Sequence, residues 1–204
     1  MAMRANDIKK AIDVWAAHSD HLKKTLNKAD SALGDGDTGS MLARVIQAIS
    51  DADFIPDVDL GGIFLAMAKV TLSTTGSSLG TLIATALMTL SKDSRELFEL
   101  EDSELAERLK LAKTAMENRG SASVGDKTVI DALEAVIEGL SATNSKESAV
   151  VRVKQSVDQA LVSFRDQPCK IGRARMYESA SMGKDDPGML AVSLLVDLLY
   201  QHQR

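Results

Sequence analysis

This sequence is poor in cysteine, proline and aromatic residues. Its single cysteine, Cys169, excludes an internal disulfide and favours a reducing, cytoplasmic setting. The low contents of proline (three residues) and of aromatic residues (3%) disfavour a β-sandwich, because strands are enriched in aromatic side chains. No apolar run approaches the roughly 20 residues that span a bilayer, and Met1–Ile8 lacks the apolar stretch of a signal peptide. We therefore expect a cytoplasmic protein that does not insert into a membrane.

Basic patches are absent as well. The chain carries 24 Lys and Arg residues against 29 Asp and Glu residues, for a formal net charge of -5. A protein that binds nucleic acid through its phosphates needs clustered Lys and Arg side chains, and no such cluster with interleaved aromatic residues occurs here. Nucleic acid is therefore not an expected partner. His18 and His21 are close in sequence but have no third ligand, so we expect no histidine metal site.

Apolar residues recur at helical spacing along most of the chain. With 204 residues, 45% of them apolar, the chain can bury one core, and its richness in Ala, Leu, Ser, Met, Lys and Glu favours helices. The pattern predicts a single all-α domain that spans residues 1–204. Its eight expected helices run from Ile8 to Lys28, Met41 to Ile49, Leu60 to Ser73, Leu79 to Leu90, Ser103 to Gly120, Val129 to Leu140, Glu147 to Phe164 and Gly188 to Tyr200.

Four polar, glycine-containing segments separate the expected helices in a regular order. They are residues 34–40, 74–78, 120–128 and 171–188, and they precede the second, fourth, sixth and eighth helices. Helices that run alternately up and down bring alternate connections to the same end of a bundle. We therefore expect all four segments to share one rim.

Three aspartates lie in and just before the first of these segments. Asp30, Asp35 and Asp37 are close in sequence, and the glycines between them allow turns tight enough for their carboxylates to converge. Converging carboxylates repel one another, and a bound Mg²⁺ or Ca²⁺ relieves that repulsion. Mg²⁺ commonly also takes phosphate oxygens, to which the N-terminus of the following helix offers N–H groups. An EF-hand is excluded because its twelfth position would be Ile46 instead of Glu, whereas a simple turn with a helix cap stays an alternative.

The other polar segments each contain groups that could meet an anion. Gly76–Ser78 precedes a helix and presents N–H groups and hydroxyls, although an ordinary helix cap is the commoner explanation. Gly125–Thr128 resembles a phosphate loop, but no strand precedes it, and a capped helix start is the alternative. Arg173 and Arg175 carry permanent charges that could either face a transferring phosphate or lie on the surface. Asp185–Gly188 is expected to form a rigid turn into the last helix.

Six short motifs, spread over nearly the whole chain, occur in an order that a known family shares. They are Leu33–Gly39, Gly76–Ser78, Arg119–Gly120, Gly125–Leu133, Gly172–Ala174 and Asp186–Gly188. With these motifs the chain resembles the nucleotide-binding L subunit of dihydroxyacetone kinase, which also occurs as the C-terminal domain of single-chain kinases. The resemblance implies a barrel of eight antiparallel helices with the nucleotide at one rim, in agreement with the expected order of the polar segments.

The resemblance also implies a set of site residues. Two Mg²⁺ ions would be held by Asp30, Asp35 and Asp37, between the β-phosphate and the terminal phosphate of ADP or ATP. Arg173 would be the catalytic residue that faces the transferring phosphoryl group. The residues expected to contact the nucleotide are Thr38, Gly39, Ser40, Met41, Gly76, Ser77, Ser78, Gly120, Val129, Arg173, Asp186, Pro187 and Gly188.

Partners and an activity follow from the same resemblance. In the family, a K subunit holds dihydroxyacetone (glycerone) covalently through a histidine, and the L subunit delivers the phosphoryl group. In one branch an M subunit of the phosphotransferase system rephosphorylates bound ADP, and in the other ATP exchanges; the first branch is the preferred assignment. Thr38 and Met41 stand where many members have His and Asn. The alternatives are a kinase subunit for another small ketose, such as a tetrulose, and a non-catalytic adenine-nucleotide sensor.

Overall fold

α-Helices make up most of the chain in this computed structural model. The structure describes residues 2–52, 59–142 and 147–203, except for the side chains of Arg173, Tyr177 and Glu178. In that part of the chain the elements are β1 Met3–Arg4, α1 Ala5–Ala17, α2 Ser19–Asp30, α3 Thr38–Ser50, α4 Leu60–Thr74, α5 Ser78–Asp93, β2 Glu99–Leu100, α6 Asp102–Gly120, α7 Val129–Ser141, α8 Ala149–Arg165, a 3₁₀ helix Arg173–Ser181 and α9 Pro187–His202. The helical fold that the sequence predicts is confirmed.

The helices form a closed ring. From α2 to α9 each helix packs against the next one along the chain, and α9 returns to pack against α1 and α2. Both α1 and α2 pack against α3, so this pair shares one position in the ring. The largest buried apolar cluster comes mainly from α1, α2, α3, α4, α5 and α9, and a second cluster comes from α6, α7 and α8. Among the described helices, none is long and apolar enough to cross a bilayer.

The first predicted helix is divided in two at His18. The His18 backbone leaves the helical region (φ -110°, ψ 13°), and its N–H donates to the Trp15 carbonyl at 3.1 Å. The Trp15 indole donates to the Leu195 carbonyl of α9 at 3.0 Å, which ties the end of α1 across the ring. The apolar stripe continues past the break, because Leu22 and Leu26 on α2 are fully buried. Hydrophobic spacing therefore gives no sign of the break, which tertiary packing determines.

Glycines allow two pairs of neighbouring helices to approach closely. A Cβ atom on Gly139 of α7 would lie 2.6 Å from the Cα of Val153 in α8. A Cβ atom on Gly61 of α4 would lie 2.7 Å from the carbonyl oxygen of Ser91 in α5. Both separations are shorter than atoms tolerate, so neither position accepts a side chain unless the helices move apart. These contacts set the spacing of helices around the ring.

A short antiparallel ladder was not predicted from the sequence. Met3 in β1 pairs with Leu100 in β2, and Arg4 pairs with Glu99. The Arg4 Nε also donates to the Glu99 carboxylate at 2.9 Å. Strands of two residues leave no alternating pattern that sequence inspection can detect. The ladder ties the residues before α1 to the connection between α5 and α6.

Candidate functional site

Three of the four polar connections meet at one end of the ring. Leu33, in the connection before α3, packs with Cys169 and Ala174 from the long connection before α9. The Nζ of Lys170, in that same long connection, donates to the carbonyl of Gly125, before α7, at 2.7 Å. The structure therefore brings together segments that the order of the helices predicted to share a rim.

The fourth polar connection, before α5, lies at the same end. Gly120 ends α6 and lies beside Leu82, early in α5, whose Cδ2 would be 3.2 Å from a Cβ at position 120. Leu82 and Ile171 both pack against a buried cluster that includes Ala122 and Ile130. The start of α5 is thereby joined through apolar contacts to the connections before α7 and α9.

The three aspartates converge at this rim. Carboxylate oxygens of Asp30, Asp35 and Asp37 all lie within 4.8 Å of one another. Asp30 ends α2 and is 7% exposed, whereas Asp35 and Asp37 are exposed. Oδ2 of Asp30 accepts hydrogen bonds from the N–H of Asp37 (2.9 Å) and from the N–H (3.0 Å) and hydroxyl (2.9 Å) of Thr38. Asp30 therefore holds the loop against the start of α3. Its other carboxylate oxygen, Oδ1, faces the loop that carries Asp35 and Asp37.

Two glycines make the convergence of these carboxylates possible. A Cβ atom on Gly34 would overlap Oδ1 of Asp30, so any other residue there would displace the buried carboxylate. Gly36 has a left-handed backbone (φ 76°), a conformation that glycine adopts without strain. The Asp37 side chain makes no capping hydrogen bond to α3, although Asp37 is the residue that precedes this helix. Three convergent carboxylates are a donor set that suits Mg²⁺ or another hard divalent cation.

The N-terminus of α3 is capped from α2. Oδ1 of Asn27 accepts from the Ser40 N–H at 2.9 Å, and Nδ2 of Asn27 donates to the Ser40 hydroxyl at 2.8 Å. The Thr38 N–H donates to Oδ2 of Asp30. Of the first three N–H groups of the helix, only that of Gly39 has no acceptor in the described structure. Sequence reasoning missed Asn27, because a residue that caps a helix across a tight loop carries no positional signature in its own helix.

Met41 does not contribute to the rim. Its side chain is 2% exposed and belongs to the main apolar cluster. Its N–H donates to the Asp37 carbonyl at 2.9 Å. The expected contact between Met41 and a nucleotide stays a prediction that this burial disfavours, because the helix turns the side chain into the core. Met41 stands where many members of the resembled family have Asn, and its burial is consistent with a packing role.

Gly76–Ser78 lies open at the start of α5. Ser77 is the N-cap of the helix, and its hydroxyl oxygen accepts from the Gly80 N–H at 3.0 Å. The Thr75 hydroxyl oxygen accepts from the Ser77 N–H at 3.1 Å. Ser78 and Gly76 are exposed, and no atom would lie within 4 Å of a Cβ on Gly76. The segment is thus a helix cap that still presents the Ser78 hydroxyl to solvent at the rim.

Gly125–Thr128 is a capped helix start, one of the two alternatives that its sequence allowed. The Asp131 carboxylate accepts from the N–H groups of Gly125 at 2.5 Å and Thr128 at 2.7 Å. Lys127 is only 1% exposed, and burial lowers the pKa of its amine. Its ammonium group faces the protein interior and cannot contact a bound phosphate. No sequence signal had marked Lys127 as buried.

Asp186–Gly188 forms the turn into α9. Oδ1 of Asp186 accepts from the Met189 N–H at 2.9 Å, and burial raises the pKa of Asp186 to about 6. Pro187 and Gly188 are buried, and a Cβ on Gly188 would lie 3.2 Å from the Cβ of Val129 at the start of α7. The structure therefore brings Val129 together with this turn, in which Asp186 is half-buried.

Arg173 begins the 3₁₀ helix, directly after Gly172, whose φ of 73° is left-handed. Its side chain lies outside the described residues, so only its backbone position is known. That position is next to Ala174, which packs on Leu33 beside the aspartate loop. Arg175, two residues further on, is exposed.

Comparisons with known proteins identify the family. A sequence model of the DAK2 domain matches residues 32–201. The ADP-binding subunit DhaL of PEP-dependent dihydroxyacetone kinase 1 from Listeria innocua is 30% identical over 183 residues, which cover 88% of this chain and 87% of that protein. The ADP-binding subunit DhaL of PTS-dependent dihydroxyacetone kinase from Lactococcus lactis is 27% identical over 180 residues, which cover 88% of each chain.

A solved structure shares the fold. The dihydroxyacetone kinase from C. freundii in complex with AMP-PNP and Mg²⁺ matches with a TM-score of 0.74 and 22% identity over 99% of this chain. The chain spans only 35% of that solved chain, and at this identity the likeness shows the fold alone. The DAK2 match over most of the chain and the 30% identity to the L. innocua subunit confirm the resemblance that the motifs indicated. The chain therefore belongs to the family of proteins that contain a DAK2 domain.

Proposed function

We propose that this chain, residues 1–204 as one helical domain, is the ADP-binding subunit of a dihydroxyacetone kinase. The observation that carries the proposal is the convergence of Asp30, Asp35 and Asp37 within 4.8 Å at the rim where all four polar connections meet. A family member of similar length that is 30% identical has this function. The proposal covers phosphoryl transfer to dihydroxyacetone (glycerone) that a partner subunit holds.

The arrangement of the rim fits a nucleotide with bound Mg²⁺. Two Mg²⁺ ions on the aspartates would neutralise the phosphates of ADP or ATP, whose oxygen atoms are ligands that Mg²⁺ prefers. Beside them, the Gly39 N–H and the hydroxyls of Ser77 and Ser78 are donors of the kind that bind phosphate oxygens. Gly120 and Val129 lie beside Leu82 and its apolar cluster, and such apolar neighbours suit an adenine ring.

The chain would supply little covalent chemistry of its own. Phosphoryl transfer needs positioning and charge stabilisation more than a protein nucleophile. We assign Arg173 to the charge that develops on the transferring phosphoryl group, because the 3₁₀ helix that begins with Arg173 packs against the aspartate loop through Ala174 and Leu33. A guanidinium in this role contributes about 10³-fold or more to turnover.

Two partners complete the proposed reaction. A K subunit would hold the acceptor, and an M subunit of the phosphotransferase system would recharge ADP that stays bound. The L. innocua relative is PEP-dependent and the L. lactis relative is PTS-dependent, and these two relatives support the phosphotransferase-system branch. Stoichiometric ADP that survives dialysis of the purified protein is the result expected for this branch, whereas an empty site that turns over ATP would contradict it.

Replacement of Arg173 tests the catalytic assignment. In a reconstituted assay with a K subunit and dihydroxyacetone, Arg173→Ala should lower kcat about 10³-fold and leave ADP bound. Arg175→Ala is the matched control, because Arg175 is exposed on the same 3₁₀ helix, and it should keep wild-type turnover. Equal turnover by the Arg173 and Arg175 variants would contradict the assignment.

The same assay separates the alternatives. Turnover with erythrulose but not with dihydroxyacetone would identify a kinase subunit for a four-carbon ketose. Tight Mg²⁺-dependent ADP binding without phosphoryl transfer to any ketose, with either ATP or a phosphotransferase-system donor, would identify a nucleotide sensor. The proposed function predicts neither result.

A further inference from the structure

Lys127 is the largest fully buried side chain in the described structure, and the proposed site makes no use of it. It is 1% exposed and lies in the connection before α7, with a left-handed backbone (φ 60°) that points the side chain inward. A buried ammonium group is tolerated only when its protons all find acceptors. The position of those acceptors therefore reveals what Lys127 does.

The acceptors are three backbone carbonyls from one region. Nζ of Lys127 donates to the carbonyls of Arg165 (2.8 Å), Gln167 (2.7 Å) and Ser181 (3.0 Å). An ammonium group has three protons, so all of its donors are used. Asp186, Asp185 and Asp166 lie close enough to favour the charged form, against the effect of burial on the pKa of Lys127. No carboxylate forms an ion pair with Lys127 among the described residues.

These carbonyls bracket the segment that carries Arg173. Gln167 and Ser181 stand at the two ends of residues 168–180, so one ammonium group joins both ends of this loop to the end of α8. The Ser181 hydroxyl also accepts from the Cys169 N–H at 2.9 Å. Because its two ends are held together, residues 168–180 form a compact loop, and the position of the ends determines the path of the loop.

One side of the closed loop packs beside the aspartate loop. Within it, Ala174 packs on Leu33, which precedes the aspartate loop. Opening the base at Gln167 and Ser181 would loosen the 3₁₀ helix, in which Met176 is 83% exposed and Ala180 is exposed. The position of the loop relative to the aspartates thus depends on the base that Lys127 closes.

We propose that Lys127 is a positioning residue that holds the base of the 168–180 loop closed and so keeps the Arg173 backbone beside the aspartate loop. The catalytic consequence rests on the proposed function, while the structural consequence does not. A displacement of about 1 Å in a reacting group can lower turnover about 100-fold. Lys127 acts on the rate through the loop, without contact with the nucleotide or the acceptor.

The test compares Lys127→Met with Lys184→Met. Methionine keeps most of the length of lysine and removes the three donors. Lys184 is the matched control, because it is an exposed lysine that lies just beyond the loop. Hydrogen–deuterium exchange of residues 168–180, kcat with the K subunit and dihydroxyacetone, and ADP affinity are measured for both variants and the wild type.

Lys127→Met should raise exchange in residues 168–180 about tenfold or more, with exchange in α4 unchanged. It should lower kcat about 100-fold while ADP affinity changes far less, and Lys184→Met should behave as the wild type. If Lys127→Met fails to fold, Ser181→Ala, which removes the hydroxyl that accepts from the Cys169 N–H at the same base, should show the same pattern to a smaller extent.

Unchanged exchange in residues 168–180 of the Lys127 variant would overturn the proposal, and so would a kcat equal to that of the Lys184 variant. If the wild type itself transfers no phosphoryl group, the proposed function fails, and the exchange measurement alone then decides whether Lys127 closes the loop.

Discussion

At the scale of single residues, Asp186 carries a charge that folding makes less favourable. Burial raises the pKa of this carboxyl from its ordinary 3.8 to about 6. The folded protein therefore binds a proton more tightly at this group than the unfolded chain does. Stability that the protonated group contributes is complete below pH 4 and is lost as the pH rises through about 6.

Asp186→Asn should remove this loss. Asn keeps the oxygen that accepts from the Met189 N–H but carries no charge at any pH. Between pH 4 and pH 7, the free energy of unfolding of the variant should therefore rise relative to that of the wild type, by at most about 3 kcal/mol. Urea unfolding of both proteins at a series of pH values, without nucleotide, measures the difference. A difference that does not change with pH would contradict the raised pKa.

Sequence reasoning identified some residues of the site and missed others for physical reasons. Asp30, Asp35 and Asp37 could be found because close spacing and intervening glycines bring carboxylates together whatever the rest of the fold does. Asn27 could not be found, because its role as a cap for α3 depends on how α2 packs. Lys127 was unpredictable in the same way, since its three acceptors lie 38 to 54 residues further along the chain.

At the scale of elements, the contact between α7 and α8 depends on Gly139. Alanine there would place Cβ 2.6 Å from the Val153 Cα, and backbone atoms cannot yield as a flexible side chain can. Gly139→Ala should lower the free energy of unfolding by about 1–3 kcal/mol. Gly76→Ala is the control, because the space around Gly76 is open, and its effect should stay within about 0.5 kcal/mol. Urea unfolding that gave equal stabilities for the two variants would contradict close packing of α7 on α8.

Element positions were easier to predict than element ends. The periodic apolar residues of α3 to α9 located each of these helices within a few residues, because each helix buries one face in the ring. The expected helix end at Gly120 agrees with the structure, but the left-handed residue that follows is Ser121 (φ 52°), which no glycine signal marks. The break at His18 left no trace in the pattern, since the side chains on both sides face the same core.

At the scale of the whole molecule, the rim depends on helix order more than on any one loop. Alternation of up and down helices places the connections before α3, α5, α7 and α9 together, and contacts such as Leu33 with Ala174 and Lys170 with Gly125 show that they meet. This much followed from the sequence, because short connections force neighbouring helices to run antiparallel. The hydrogen bonds of Lys127 that close the base of the 168–180 loop could not be predicted from the sequence, because no periodic pattern extends through this loop.

The aspartate cluster offers a clean way to test the rim as a nucleotide site. Asp30 supports the loop through three hydrogen bonds, so its replacement would disturb the fold as well as any metal. Asp37 is exposed and makes no capping bond to α3. Asp37→Asn should therefore leave the stability of the nucleotide-free protein within about 0.5 kcal/mol of the wild type. Asp51→Asn, at the opposite end of α3, is the matched control.

Calorimetric titration of ADP into the nucleotide-free protein, with Mg²⁺ and with a chelator, tests the central claim most directly. The wild type and Asp51→Asn should bind ADP tightly with Mg²⁺. Removal of Mg²⁺, or the Asp37→Asn substitution, should weaken binding by about 100-fold, because both remove the link between carboxylates and phosphates. Wild-type ADP affinity in the presence of chelator, or in Asp37→Asn with Mg²⁺, would contradict a metal-bridged nucleotide at this rim.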